Sequence, residues 1–431
     1  MRKLSIGTAG LALTLALGAC DEITTLQQEN PGQLSATTLF VPGNAQLLVN
    51  GVIADFECAF ARYVVGSGLL ADELITAIAN TDNYDYERRT IQTNRAYGTG
   101  GCGGTNQQPS IYTTLSTARG VADTTLARLE EWTDAEVNPN ATTPLRQRLI
   151  GQTATYAGFS LILLGEGMCS AAINLGPEIQ PAELFNEAKL RFDKAITAAT
   201  TANDAATLNL ALVGRARALQ NLNQLAAAAV DAARVPATFI ANMTTDAVNA
   251  RRQNFVFVHT QQNRHSSVDP SFRNVLLGTT PDPRVLTTNR NVPGTAPNTI
   301  IWTADKYPAL TTGIPIAKYA EAQLIIAEAR VAAGDLTGAA AAINAARNTR
   351  PGMPAYDVTG KTAAQVRADI IEERRRELFL EGHRLGDIRR YQLPLNPAPG
   401  TPYATGGGTY GTQNCFPLPD VERINNPNIG S

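Results

Sequence analysis

Histidine and tryptophan are scarce in this chain of 431 residues, which has three histidines and two tryptophans. It contains neither an H-E-x-x-H nor a G-x-S-x-G motif, and its five cysteines lack the spacing of a zinc site. The glycine-rich stretch 98–104 follows no apolar strand and lacks the lysine of a phosphate-binding loop. Glu372 and Glu373 are adjacent, so on one helix they point about 100° apart and cannot flank a glycosidic bond. We therefore expect no enzyme activity, no metal and no cofactor.

An excess of charge is also lacking, because 36 Lys and Arg residues stand against 38 Asp and Glu, a formal net charge of −2. This balance argues against a nucleic-acid partner and against binding to an anionic membrane surface. Beyond the N-terminal segment, no uninterrupted apolar run reaches the roughly 18 residues that a transmembrane helix needs.

The N-terminus has the pattern of a targeting signal, because Arg2 and Lys3 precede an apolar stretch at 4–17. The stretch ends in Leu17-Gly18-Ala19-Cys20, which is similar to a bacterial lipobox, where the cysteine becomes N-terminal and lipidated. An ordinary secretory signal with an incidental cysteine is the alternative. We expect a signal peptide at 1–19, a lipidated tether at 20–35 that begins at Cys20, and one domain at 36–431. The lipid anchor would be its only contact with the membrane.

Four cysteines remain after Cys20, and an exported chain folds in an oxidising compartment where they can form disulfides. Four cysteines allow three pairings. The pairing that we prefer is Cys58–Cys102 with Cys169–Cys415, which would staple an N-terminal segment and tie a mid-chain loop to the tail.

The middle of the chain has the periodicity of helical hairpins. In 317–347, small residues at close-packing positions flank a Gly334-Asp335 turn, the pattern of a tetratricopeptide repeat. Alanine-rich helices without a repeat are the alternative. One hairpin cannot bury its apolar face alone, so several must stack. We predict a mainly α fold of tetratricopeptide-like hairpins, with further helices at 115–132, 144–164, 181–200 and, as two shorter ones, 208–233.

Three stretches lack helical periodicity, namely about 80–110, 239–313 and 394–413. We expect them to be long loop-rich insertions, with one short strand at 255–258. Irregular excursions of this length in a compact protein are usually functional.

Aromatic and amide side chains are concentrated in these loops. Sugar rings present C–H faces that pack on aromatic rings, and peptide ligands use the same groups. We expect Trp302 to contact ligand, together with Tyr84, Tyr86 and Tyr97. A buried anchor that holds its loop is an equally good interpretation of Trp302.

The segment 372–390 is the most charged part of the chain, with five carboxylates and six arginines. A solvated, self-paired surface helix is one interpretation. The other is a helix wedged between neighbours, with arginine forks held by carboxylates and a break at Gly382 before a second, shorter helix. The residues that we expect in such a structural network are Glu373, Arg374, Glu377, Glu381, Arg384 and Asp387.

This segment closely resembles the C-terminal signature of the SusD/RagB family of outer-membrane nutrient-binding lipoproteins, roughly E-R-R-x-E-L-x-x-E-G-x-R-x-x-D-x-R-R. The stretch Leu69-Leu70-Ala71-Asp72-Glu73 resembles an early family motif, L-x-x-D-E. The tail, with Pro417-Leu418-Pro419, Glu422 and Asn426-Pro427, resembles the family's closing motif. One departure is Leu385-Gly386, where family members usually carry bulky aromatic residues.

The resemblance implies a SusD-like fold and a surface lipoprotein that captures an oligosaccharide or a peptide. It also implies a partner, a TonB-dependent outer-membrane barrel transporter (SusC-like) on which the protein sits as a lid. Family ligand residues are poorly shared, so none is carried over. A helical repeat scaffold that binds only proteins, without a small ligand, is the alternative function.

Overall fold

The computed structural model of the chain describes residues 35–102, 108–139, 144–296 and 298–429. The predicted signal peptide and Cys20 lie outside these residues, as does all of the predicted tether except its last residue. The described part is mainly α-helical, as predicted, and its strands are short.

The helices fall into long antiparallel neighbours and short connecting turns. A 3₁₀ turn forms at Pro42–Asn44, at Ala250–Arg252 and at Pro270–Phe272. The α-helices are α1 Ala36–Leu39, α2 Ala45–Leu70, α3 Thr81–Arg88, α4 Ala96–Thr99, α5 Tyr112–Glu131, α6 Asp134–Val137, α7 Leu145–Gly167, α8 Pro181–Thr201, α9 Ala205–Asn221, α10 Leu225–Ala232, α11 Phe255–Phe257, α12 Tyr319–Ala332, α13 Leu336–Arg347, α14 Ala363–Glu377, α15 Arg384–Tyr391 and α16 Asp420–Asn425.

The strands form antiparallel pairs, in which β1 pairs with β5, β2 with β3, β4 with β10, β6 with β7 and β8 with β9. Their bounds are β1 Leu74–Thr76, β2 Ala171–Ala172, β3 Glu178–Ile179, β4 Ile240–Asn242, β5 Ser266–Val268, β6 Leu276–Leu277, β7 Thr280–Pro281, β8 Thr287–Pro293, β9 Ile300–Ala304 and β10 Pro315–Lys318.

The stacked hairpins approach closely because small residues stand where the helices meet. The ring of Phe192 on α8 lies against Gly158 on α7 and Gly214 on α9, and a Cβ added at Gly158 would stand 2.7 Å from the ring. In the α12–α13 hairpin, Gly334 has φ +78°, and Asp335 caps α13 by accepting a hydrogen bond from the Gly338 N–H at 2.8 Å. The predicted repeat helices are confirmed, with their ends shifted by a few residues.

One prediction about the insertions is wrong. Residues 255–258 are not a strand, because the Asn254 side chain accepts from the Phe257 N–H at 3.0 Å and caps a helical turn that continues as a π-helix, Val258–Gln262. The insertion 80–110 is not wholly irregular, since Asn80 caps α3 by accepting from the Asn83 N–H.

Two disulfides join distant parts of the chain, Cys58–Cys102 and Cys169–Cys415, the pairing preferred from the sequence. Beside the second, Cys169 donates its N–H to the Phe416 carbonyl at 2.8 Å, and Phe416 donates to the Gly167 carbonyl at 2.9 Å. The C-terminal tail is thereby fastened to the end of α7.

Within the described ranges, none of the helices combines the length and the apolar character needed to span a membrane.

Candidate functional site

The charged segment 372–390 forms a largely buried network of ion pairs, both within itself and with side chains from distant parts of the chain. Arg374 donates from Nε to both carboxylate oxygens of Asp387, at 3.1 and 2.9 Å. Glu373 accepts from Arg347 and from Arg284, and the distance to the Arg284 Nη1 is 2.6 Å. These side chains are buried, and so are those of Glu377 and Glu381, while that of Arg384 is 10% exposed. Of the two interpretations of this segment, the structure agrees with the helix wedged between neighbours and not with the solvated surface helix.

Ion pairing outweighs the cost of burial in this network. Burial alone would raise the pKa of Glu373, but the hydrogen bond from Arg347 and the charge of Arg284 hold it below its usual value. Burial would likewise raise the pKa of Asp387, and Arg374 and Arg390 hold it low. These groups are locked in charged pairs, which suits a structural role.

The departure at Leu385-Gly386 has a packing reason. A Cβ added at Gly386 would stand 3.0 Å from the carboxyl carbon of Glu166. Glu166 is needed there because it accepts from Arg217, with 2.8 Å between the Arg217 Nε and Glu166 Oε1. An aromatic side chain at position 386 would displace this buried pair.

Tyr86 and Tyr97 are core residues, and the expectation that they contact ligand is wrong. Both side chains are fully buried, with ring centroids 5.2 and 5.4 Å from that of Phe416. The Tyr97 hydroxyl donates to the Pro417 carbonyl at 2.9 Å, and the Tyr86 hydroxyl donates to the Pro109 carbonyl at 3.3 Å. Their hydroxyls are used inside the protein, and no ligand can reach the rings.

Tyr84 is the exposed edge of a tyrosine cluster that the sequence alone did not assemble. Its ring meets Tyr403 edge-on at 5.8 Å, and Tyr403 meets Tyr410 at 5.3 Å. The hydroxyls of Tyr403 and Tyr410 each donate to the Glu87 carboxylate at 3.0 Å. Tyr84 and Tyr410 remain partly exposed, and the Arg88 guanidinium carbon lies 6.0 Å from the Tyr403 ring centroid. Residues more than 300 positions apart form this cluster, so no local signal reveals it.

Glu87 holds the cluster together from below. Its carboxylate also accepts from the Thr76 backbone N–H at 2.6 Å. Burial raises the pKa of Glu87, and these hydrogen bonds oppose the rise. The Tyr403 and Tyr410 rings are therefore fixed by hydrogen bonds at their hydroxyl ends, and of these two only Tyr410 is partly exposed.

Trp302 lies half-buried on β9. Its burial is intermediate between that of an exposed ligand contact and that of a buried anchor. Its neighbours Ile301 and Thr303 are buried, so Trp302 lies on the outer face of the strand, opposite the exposed Asn289 of β8. The guanidinium of Arg273 stands over the indole at 5.3 Å and donates from Nε to the Val268 carbonyl at 2.8 Å. One part of the ring is thus packed and another part reaches solvent.

The short segment 76–78 connects the tyrosine cluster with the Trp302 hairpin. The Thr76 N–H binds Glu87, while the Ala77 carbonyl accepts from the Ala296 N–H at 2.8 Å and from the Thr295 hydroxyl at 3.2 Å. Both aromatic groups are therefore anchored to one stretch of backbone. We call the exposed parts of these two groups together the loop face, defined by Tyr84, Arg88, Tyr410, Arg273 and Trp302, with the buried Tyr403 beneath it.

The loop face presents partly exposed aromatic rings beside polar and cationic side chains. In the part of the chain that the structure describes, no three His, Cys, Asp or Glu side chains are grouped so as to hold a metal ion.

Solved structures share this fold across nearly the whole chain. A SusD-like carbohydrate binding protein from Bacteroides vulgatus is 17% identical, with a TM-score of 0.65 over 90% of this chain and 97% of that one. SusD superfamily proteins from Bacteroides fragilis and Bacteroides thetaiotaomicron are each 15% identical with a TM-score of 0.68. They cover 91% and 90% of this chain, and 99% of their own chains.

Sequence comparison agrees with the fold over the C-terminal part of the chain. No curated protein matches the sequence. Residues 258–427, which contain the charged segment and the tail motif, match the family model of the SusD family. Residues 258–427 thus match the SusD family in sequence, and the chain as a whole shares the fold of SusD superfamily proteins.

Proposed function

We propose that this protein is a surface lipoprotein of the outer membrane that captures an oligosaccharide or peptide and passes it to a TonB-dependent barrel transporter. Lipidation at Cys20 would anchor the single domain 36–431 through its tether. The match of residues 258–427 to the SusD family supports a binding role, and one solved structure of the same fold is described as a carbohydrate binding protein. Capture and transfer need no bond to be broken, which agrees with the lack of a catalytic motif in the sequence.

The loop face is the observation that carries the binding proposal. Its partly exposed rings, Tyr84, Tyr410 and Trp302, offer apolar faces and edges on which a sugar ring or a peptide side chain can pack. Arg88, whose guanidinium carbon lies 6.0 Å from the Tyr403 ring centroid, and Asn289, which pairs with Trp302 across the strands, can hydrogen-bond to ligand hydroxyl or carbonyl groups.

Preorganisation supports the same interpretation. Glu87 holds the hydroxyls of Tyr403 and Tyr410, the Ser267 hydroxyl accepts from the Trp302 backbone N–H at 2.8 Å, and Arg273 stacks on the indole, so much of this surface is positioned before ligand arrives. A rigid surface loses little conformational entropy on binding, which favours affinity.

Calorimetric titration of the mature protein with neutral oligosaccharides, and separately with a peptide digest, tests the proposal. For the ligand that binds, we expect Trp302→Ala and Tyr84→Ala each to weaken affinity about 10-fold or more, because each removes an apolar contact surface. Val248→Ala is the control, since Val248 is 92% exposed in the same excursion but outside the loop face. Wild-type affinity in both folded variants would remove the loop face as the site while leaving the transport role open.

The anchor and the partner need their own experiment in the native host. Metabolic labelling with a fatty acid should mark the wild-type protein and not Cys20→Ala, and affinity purification from outer membranes should recover a large β-barrel protein. Recovery of a soluble protein instead, with no sugar or peptide binding, would favour the helical repeat scaffold.

A further inference from the structure

A cavity of about 610 Å³ lies outside the loop face, beside β4, β10 and the start of α12. Its lining includes Lys306, Lys318, Arg350, Phe239, Tyr319 and Asn242, and we call it the charged cleft. This volume is within the range of small-molecule sites. None of these residues belongs to the tyrosine cluster or to the Trp302 hairpin.

Two of the three cations of the charged cleft are partly exposed to the cavity, whereas Lys318 and the carboxylates are buried. The side chains of Lys306 and Arg350 are 23% and 32% exposed, but those of Glu377 and Glu381 are only 2% exposed. Three cations against two carboxylates leave one positive charge uncompensated. A ligand that enters the cleft therefore meets a positive surface.

The buried carboxylates are already occupied by partners within the protein. Glu381 binds Lys306 at 2.6 Å and Lys318 at 2.8 Å, and Glu377 binds Arg350 at 2.5 Å. This arrangement fixes the positions of the cationic groups. An anionic ligand would add to the network without having to break it.

The other walls of the cleft suit the body of an organic ligand. Phe239 and Tyr319 are half-buried rings, and Asn242 and Thr349 supply polar groups. The first turn of α12 also lines the cleft and has no side-chain cap, so the positive end of the helix dipole adds to the field of the cations.

We propose that the charged cleft binds a small carboxylate whose neighbouring part is a ring or an apolar group. Lys306 and Arg350 would hold the carboxylate, and Phe239 and Tyr319 would pack on the body. A uronic acid and the C-terminal residue of a peptide share this chemistry. The proposal does not depend on ligand binding at the loop face.

Titration with matched charged and neutral probes tests the proposal. D-Glucuronate against D-glucose tests the sugar source, and N-acetylphenylalanine against its amide tests the peptide source. We expect at least one acid to bind about 10-fold or more tightly than its neutral counterpart, and its affinity to fall as salt rises from about 0.05 to 0.5 M. The acid that binds identifies the source.

Two variants locate the site. Arg350→Gln leaves Glu377 paired with Lys318 at 3.0 Å, so the fold should survive while the acid binds about 10-fold more weakly. Phe239→Ala should weaken binding of the same acid. Arg330→Gln is the matched control, because this arginine is exposed on α12 and pairs with Asp335 outside the cleft.

Three results would overturn the proposal. They are equal binding of acid and neutral probe, unchanged acid binding in folded Arg350→Gln, and no binding of either acid up to about 10 mM. Trp302→Ala should leave acid binding at the cleft unchanged, which separates this result from the test of the loop face.

Discussion

Asp72 and Arg384 form a two-point ion pair across 312 positions of sequence, with Nε–Oδ1 and Nη2–Oδ2 distances of 2.6 and 2.7 Å. Next to it, the Glu73 carboxylate accepts from the Leu380 backbone N–H at 2.7 Å. The early L-x-x-D-E motif and the C-terminal signature are therefore two halves of one buried contact. Each motif supplies one side of the hydrogen bonds that join these two segments.

A double-mutant cycle measures this pair. Asp72→Ala leaves the buried Arg384 without its carboxylate, so we expect a loss of about 3–5 kcal/mol in the free energy of unfolding. Arg384→Leu should cost a similar amount alone, and the double variant should lose less than the sum of the two. Urea unfolding followed by circular dichroism gives the three values.

The exposed pair Arg128–Glu131 is the control for this cycle, with side chains 46% and 59% exposed. Arg128→Ala should change stability by less than about 0.5 kcal/mol. A coupling energy between Asp72 and Arg384 as small as this would contradict a buried, structural pair.

Glu73 makes stability depend on pH. Burial raises its pKa to about 8 from an ordinary value of 4.5, and the hydrogen bond from Leu380 opposes the rise. Between these values, the folded protein keeps a proton that the unfolded chain has released. The contribution of Glu73 to stability is therefore complete below pH 4.5 and lost as pH rises towards 8.

The variant Glu73→Gln mimics the protonated side chain and removes this dependence. We expect it to match the wild type near pH 4.5 and to exceed it at pH 8, by on the order of 2–4 kcal/mol in the free energy of unfolding. Asp72, Arg384 and Lys306 surround Glu73 and are common to both proteins, so their titration cancels in the comparison to a first approximation. A variant less stable than the wild type at pH 8 would mean that the folded protein needs the charged carboxylate.

The helical repeats could be predicted from the sequence because their signals are local. Apolar periodicity and the Gly334-Asp335 turn lie within a few residues of the structure they specify. The burial of Tyr86 and Tyr97 could not be predicted, because their packing partner Phe416 is more than 300 positions away. The tyrosine cluster around Glu87 has the same origin. At 255–258 a short apolar run of Phe and Val suggested a strand, but the Asn254 cap starts a helical turn there.

Close packing of the repeats predicts opposite effects for two glycine substitutions. Gly214→Ala on α9 would drive a methyl group into the Phe192 ring, so we expect a loss of about 1–3 kcal/mol despite the better helix propensity of alanine. Gly120→Ala on α5 meets no atom within 4 Å and should gain about 0.5–1 kcal/mol. Thermal unfolding of the two variants side by side is the measurement. A stabilised Gly214→Ala would contradict the packing of α8 on α9.

The two disulfides should contribute unequally to stability. Cys58–Cys102 closes a sequence separation of 44, and Cys169–Cys415 closes one of 246. In the chain-entropy description the longer loop restricts the unfolded chain more, giving about 5.5 kcal/mol against about 4 kcal/mol. We expect the pair Cys169→Ser and Cys415→Ser to lower the free energy of unfolding more than the pair Cys58→Ser and Cys102→Ser, as measured by urea unfolding without reductant.

The tail should nevertheless stay docked when the longer disulfide is removed. The Phe416 ring remains packed between Tyr86 and Tyr97, and its two backbone hydrogen bonds to the end of α7 need no sulfur. Limited proteolysis of the Cys169→Ser, Cys415→Ser variant should leave the tail intact under native conditions, since the loss arises mainly from a less restricted unfolded chain. Rapid cleavage anywhere in the tail C-terminal to Pro394 in the folded variant would instead mean that the disulfide itself holds the tail in place.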